Sequence, residues 1–593
     1  MTTTKTLDSV QLAVLESRFD AIARSMLNTL LRSARTGVLA VAHDFSCAVL
    51  TKDGDLLAWA ESIPIHVLHG PKEMVQTMKR FHPELKRGDA FLHNSGYHGC
   101  SHTADWTMLI PIIDDDGEHH FTVLAKAHQG DCGNSVPTTY MWQARDVYEE
   151  GGLIFPAVKV QSNYEDNQDI IRMCKMRIRA PDHWWGDYLA LMGSARIGER
   201  RTLDLMNEVG ADTLLAYSNQ WLQMSEDLME ERLREIPKGK ATATTIHDPL
   251  PLDSMTEAGY GDGIPISVTV ETFPDEGRMT VDLRDNPDNL PSGINLSEAC
   301  AKSSALIGVF LGIGKGVPSN GGSLSRVDVL IREGCCVGNP VHPYSCSAST
   351  TNLQDRVANA TLEALAEIAD GWGMGQFGYG QAAGGSVISG TDPTSGKPFV
   401  NQLYLAASGG PGTPFGTDGW LNAYTIGGVG MLYKDSIEVD EQIHPIRIVA
   451  EKLIPDSEGA GRTRGAHATF TEFGPVGCSM EVVNGGDGAV VPARGARGGG
   501  GGTQMQMWRR TVDGSLEELP TFHRITLADG ETLVGVSCSG GGYGPAFERD
   551  PEAVAGDVLQ RVVTPERAKE VYGVAVDLDG VIDHEATAAL RGA

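Results

Sequence analysis

The stretch WTMLIPIIDDDGEHHFTVLAKAH, residues 106–128, decides how the first part of the chain folds. Two apolar runs rich in β-branched residues flank the turn sequence DDDG, so the spacing predicts an antiparallel β-hairpin. With Ile113 and Glu118 flanking the loop, paired positions sum to about 231, which puts His128 opposite position 103. The residues just before it, GYHGCSHTAD at 96–105, carry His98, Cys100, His102 and Asp105. Cross-strand neighbours lie roughly 5 Å apart, so His128 comes within reach of an ion shared with His102 and Asp105. His102 and Asp105 are three positions apart, and a regular strand would point them to opposite faces. The backbone must therefore turn between them, as Gly96 and Gly99 permit.

A fourth ligand is offered by Asp44 in AHDFSC, a carboxylate within an otherwise apolar strand. Asp44, His102, Asp105 and His128 form a borderline set suited to one divalent ion, zinc first and manganese or iron(II) next, with a position left for water. Such an ion brings the pKa of its water to about 7. The competing reading is that Asp44 and Asp105 cap turns while the imidazoles satisfy core hydrogen bonds. His66 and His69 in IPIHVLHG read as packing residues before they read as partners of the ligands. Asp131, in HQGDCGN, is expected to orient His128 from behind the site, so that His102, His128 and Asp131 form the catalytic group. Cys132 as a nucleophile would need a base beside it, and none is evident.

Outward from this hairpin, residues 8–36 place Val10, Leu12, Leu15, Phe19, Ile22, Met26 and Leu30 three or four apart, a helix that Asp8 or Ser9 can cap and Gly37 end. LAVAHDFSCAVL, TKDG and DLLAWA read as another hairpin, and helical periodicity returns over 203–235. Beyond a connection near 240 the chain is strand-rich, with one long helix near 350–369. The expected architecture is a mixed α+β, multi-domain chain: a metal-bearing region at 1–240 and a larger strand-rich region at 241–593.

Composition narrows the function. A formal charge of −29 argues against a nucleic-acid surface. The N-terminus lacks a signal-peptide pattern, and apolar runs such as WTMLIPII are too short for a membrane span, so a cytoplasmic protein is expected. Ten irregularly spaced cysteines without a C-x-x-C pair form neither a disulfide framework nor a zinc ribbon. GIGKG at 312–316 fails the phosphate-loop pattern, so no nucleotide site is expected on this chain. RGARGGGGG at 494–502 could cradle an anion, although glycine-rich turns are the commoner cause.

Read together, DFSCAVLTKDGDLLAWAESIPIHVLHG, SHTAD, AKAHQGDCGN, EEGGLIFPAVKV, NLPSGINLSEA and SGGGYGPAFERDPEAVAGDV resemble the hydantoinase B/oxoprolinase family over about residues 12–575. The resemblance implies a B-type subunit working with a hydantoinase A-like partner that binds ATP and magnesium and phosphorylates a substrate carbonyl. It also implies that the family's metal ligands fall on Asp44, His102, Asp105 and His128. Hydrolysis of a small cyclic amide, a hydantoin or lactam, is the first expectation. Carboxylation of a ketone of the acetone or acetophenone type is the alternative, and a scaffold subunit with a structural metal is the third. The assembly implied is a hetero-oligomer such as (αβ)2. Two departures surround the ligands: N-S-G-Y-H-G-C-S-H stands where relatives commonly read N-D-P-Y-x-G-G-T-H, and A-H-Q-G-D where A-H-H-A-D is frequent. They make His98 and Cys100 candidates for shaping the substrate pocket.

Overall fold

Helix α1 (Ser9–Ser33) begins where Asp8 accepts from the Gln11 amide and the Gln11 side chain accepts from the Asp8 amide, a capping box. Its buried stripe runs Leu15, Phe19, Ile22, Met26, Leu30, while Val10 stays exposed. This computed structural model describes residues 6–592 apart from 61, 315 and 406. It is a mixed α+β chain with several sheets, as expected. No helix among the described residues is long and apolar enough to cross a membrane.

The element that carries the site is a seven-stranded antiparallel sheet in the order β2-β1-β5-β4-β3-β6-β7. Its strands are β1 (Phe45–Thr51), β2 (Leu56–Trp59), β3 (Ala90–His93), β4 (Asp105–Ile113), β5 (His119–His128), β6 (Val158–Ser162) and β7 (Glu165–Asp166). The β4–β5 hairpin is present, but its register is shifted by two from the expected one: Asp105 faces His128 directly. The Asp114 carboxylate accepts from the amides of Asp116 and Glu118 and closes a tighter turn. An irregularity between Ile112 and Ile113 absorbs one further residue. A shift of two preserves the face each side chain takes, so the alternation survives the correction.

Helices α2 (Gly70–Phe81), α3 (Pro181–Val209) and α4 (Ala211–Arg234) also belong to this part. The helical periodicity of 203–235 is split in two, because Gly210 adopts φ +88° between α3 and α4. α1 lies tightly on α3: a Cβ on Gly198 would come 2.5 Å from Met26 Sδ.

Two compact units divide the chain: residues 1–238, 271–307 and 315–350 form one, and residues 239–270, 308–314 and 351–593 the other. The chain leaves the first unit after residue 238 and returns to it at 271 and again at 315. Arg326 pairs with Glu226 and Glu230 on α4, and Trp59 Nε1 donates to Ser319 O at 2.9 Å. These long-range pairs tie 271–350 back, so a single boundary in the sequence does not separate the units.

The second unit holds helix α5 (Leu353–Ile368) and two antiparallel sheets, of four and five strands. Phe473, Met480 and Leu533 belong to its buried core. The glycines of 494–502 serve packing: a Cβ on Gly495 would lie 2.2 Å from Gly499 O, and one on Gly499 2.2 Å from Gly542 O. Backbone meets backbone there, which accounts for the glycines without an anion.

Candidate metal centre

The local fold turns two of the expected ligands, His102 and Asp105, toward one point. Gly99 takes φ +94° after a short 3-10 turn (Gly96–His98), and the Asp105 amide donates to His102 O at 3.2 Å. β4 starts only at Asp105, and His102 lies in the turn before it, as the spacing required. His128 ends β5, and its amide donates to Asp44 O at 3.0 Å. Asp44 precedes β1 rather than lying within it, next to His43 at φ 58°.

His102 Nε2, His128 Nδ1 and Asp105 Oδ1 converge. The separations are 3.0 Å from His102 to Asp105, 3.3 Å from His128 to Asp105 and 3.3 Å between the two nitrogens. All three residues are buried. Asp44 stands at the edge, with Oδ2 4.0 Å from His128 Nδ1 and Oδ1 3.7 Å from His66 Nε2. His66 Nε2 is 3.2 Å from Asp105 Oδ2, and its Nδ1 is 3.1 Å from Ser46 Oγ. His66 thus belongs to this cluster, contrary to the packing role expected of it. His69 lies apart, lining a cavity of about 390 Å³ with Lys72 and Lys302.

The donor chemistry fits a cation. Ser347 O can only accept, so His102 Nδ1 donates to it at 2.8 Å. That leaves Nε2 aimed at the Asp105 carboxylate, two acceptors facing each other unless a proton or an ion lies between. Burial by itself would lower the pKa of His102, but the Asp105 charge and hydrogen bond outweigh it and raise the value. Burial likewise opposes ionisation of Asp105, and the His102 and His66 charges overcome it and hold this carboxyl well below its usual range. The Thr139 hydroxyl, 3.1 Å from His128 Nε2, can accept its proton and free Nδ1. Ligands bound at about 2.1 Å stand about 3.0–3.4 Å apart around an octahedral or tetrahedral ion, which matches the spacing present. The Tyr140 ring stacks on both imidazoles, its centroid 5.5 Å from each.

Other candidates have different places. Asp131 does not orient His128: its carboxylate accepts from the Arg179 amide at 2.6 Å, Arg179 Nη1 at 2.9 Å and the Gly133 amide at 2.9 Å. The loop after β5 carries it toward Arg179, and Thr139 takes the position it was expected to fill. Cys132 is fully buried, and burial first, then the Asp131 charge, pushes its thiol well up, which removes it as a nucleophile. Cys100 is buried, and its thiol reaches the carbonyls of His102 at 3.3 Å and Asp105 at 3.2 Å, so it braces the ligand turn. His98 is half-buried, with Nδ1 2.8 Å from Ser95 Oγ and its ring edge-on to Phe81. Thr139, Tyr140 and Ser347 carry no signal in the sequence, since only folding brings them to the histidines.

The sequence model of a family described as hydantoinase B/oxoprolinase matches residues 8–546. The beta subunit of caprolactamase from Pseudomonas jessenii is 29% identical over 99% of this chain and 100% of its own length. A candidate B-type component of a D-/L-hydantoinase, from Pseudomonas sp. (strain NS671), is 28% identical over 99% of this chain and 98% of its own. The crystal structure of ATP-dependent caprolactamase from Pseudomonas jessenii superposes with a TM-score of 0.87 at 28% identity, covering 99% of this chain and 100% of the other.

Proposed function

The chain belongs to the hydantoinase B/oxoprolinase family, and from that premise we propose that it is the metal-bearing subunit of an ATP-dependent cyclic amide hydrolase. Its substrate would be a hydantoin or lactam whose carbonyl oxygen is phosphorylated by a hydantoinase A-like partner, which also carries the ATP and magnesium. The observation that carries the reading is the convergence of His102 Nε2, His128 Nδ1 and Asp105 Oδ1 within 3.3 Å of one another. Relatives named for lactam and hydantoin chemistry that align along nearly the whole chain support the reaction class.

His102, Asp105 and His128 would hold one divalent ion, zinc before manganese or iron, with Asp44 completing the set. When bound, that ion would supply Lewis acidity and lower the pKa of water toward about 7. Ser347 and Thr139 keep the ring nitrogens turned inward, and Tyr140 covers a face of both imidazoles. Phosphorylation on the partner would supply the leaving group that an unstrained amide lacks.

The test is to purify the chain with its ATP-binding partner, measure its metal content and screen lactams and hydantoins for ATP-dependent ring opening. Opening that requires both ATP and metal supports the reading. Undiminished turnover after complete metal removal would overturn it. Incorporation of labelled bicarbonate into a ketone product, without ring opening, would assign the carboxylase chemistry instead.

A further inference from the structure

The two oxygens of Asp105 have different surroundings. Oδ1 faces both imidazoles, at 3.0 and 3.3 Å. Oδ2 accepts a hydrogen bond from Ser101 Oγ and lies 3.2 Å from His66 Nε2. Behind Ser101, Lys126 Nζ donates to Ser101 Oγ at 3.1 Å. Lys126 has no exposed surface, although it is a lysine within a strand. A buried lysine is costly unless its charge is answered, and the carboxylate reached through Ser101 answers it.

We propose that Ser101 and Lys126 are positioning residues that fix the Asp105 carboxylate so that Oδ1 alone is presented to the ion. An ammonium group only donates, so Ser101 Oγ must accept from Lys126, and its single proton is thereby directed to Oδ2. Alanine at 101 would leave Oδ2 without that donor and Lys126 with only the weak, 3.9 Å contact to Cys100 Sγ as an acceptor. The carboxylate would then be free to rotate and offer both oxygens. The His66 contact alone would not restrain it, because His66 Nε2 is also drawn toward Asp44 Oδ1 at 3.7 Å. This inference rests on the metal reading above and concerns how this chain holds its ligand.

The test uses the full chain purified with its partner, stripped of metal and titrated with zinc against a chromophoric chelator, then with cobalt(II) followed by its visible spectrum. Ser101→Ala is expected to weaken zinc binding about tenfold or more, the usual effect of removing a ligand's supporting partner, and to change the cobalt(II) band. Ser101→Thr keeps the hydroxyl and is expected to stay within about threefold of wild type. Lys126→Met should weaken binding in the wild-type background but add no further loss to S101A, because it acts through Ser101. Lys126→Arg, still a donor-only cation, should retain affinity and so reads the relay even if K126M does not fold. Wild-type affinity and spectrum in S101A, failure of S101T to recover them, or an additive loss in the double variant would each overturn the proposal. A wild-type chain that takes up no metal would overturn the metal reading and this inference with it; binding that is unchanged across the variants overturns this inference alone.

Discussion

Each unit buries a group of ionisable side chains, and the two groups close their charge differently. In the second unit, Arg356 donates Nε and Nη2 to Asp487 at 2.6 and 2.7 Å and Nη1 to Thr245 at 3.0 Å, and its guanidinium lies over the Tyr379 ring. Asp248 accepts from the amides of Gly488, Ala489, Val490 and Val491. Each of these donors meets an acceptor. In the first unit, with Nδ1 committed to Ser347 O, His102 Nε2 and Asp105 Oδ1 face each other across 3.0 Å and need a proton or an ion between them, and His128 Nε2 is occupied by Thr139. Arg356 and Asp487 neutralise each other; on the proposed reading, the centre around Asp105 has its charge closed by a bound cation. If the proposal holds, that contrast separates a structural cluster from a chemical one better than burial does, since both are shielded from bulk water.

The sharpest way to break the contrast is to remove a ligand. His102→Ala or His128→Ala is expected to lower ATP-dependent turnover about 1,000-fold or more while the chain stays folded, read by turnover and metal content. Loss of folding without loss of metal would reverse the assignment. Arg356→Met should do the opposite: take from the buried Asp487 its guanidinium partner, leaving it His247 and two backbone amides, cost about 3 kcal/mol in urea unfolding, and leave the zinc affinity of the folded chain unchanged. Chelation should lower the stability of the wild-type chain by about 3 kcal/mol relative to the ion at a hundredfold excess over Kd. H102A should show no such dependence in a thermal melt.

A finer test uses Asp355, beside Arg356, whose Oδ1 has no hydrogen-bond partner among the described residues. Burial, reinforced by the Asp487 charge, pushes its carboxyl from 3.8 up to about 7 against the Gly380 amide and Arg356. The folded chain then keeps a proton that the unfolded chain releases, so this group's contribution to stability falls as pH rises from about 4 to about 7. Asp355→Asn should flatten that fall, measured by urea unfolding across the range. The smallest effect is expected of Cys132→Ala, which should keep turnover within about threefold because its buried, protonated thiol takes no part in the chemistry.

The site is legible in the sequence where spacing forces geometry. The hairpin around DDDG, the turn between His102 and Asp105, and the arrival of His128 beside them all follow from alternation and strand pairing. The true register is not legible, because Asp114 closes the turn with its own side chain and an irregularity adds a residue. Asp131 is misplaced by spacing for a related reason: nearness in sequence to His128 stands in for nearness in space, whereas the loop delivers it to Arg179. His66 is singled out in the sequence but misjudged as packing, because its neighbours Asp44 and Asp105 are distant in sequence.

By itself, then, the sequence determined the α+β class and the residue types able to hold an ion, because periodicity and short-range spacing are local properties of the chain, and its motifs carried the resemblance to the family. Tertiary structure decided which of those residues meet, which carbonyl or hydroxyl turns each imidazole, and where the units divide. Those depend on contacts such as Ser347 with His102, 245 positions apart, and Arg326 with Glu226. Such pairs leave no periodic trace, since the chain between them is free to take many paths until the cores on either side are packed.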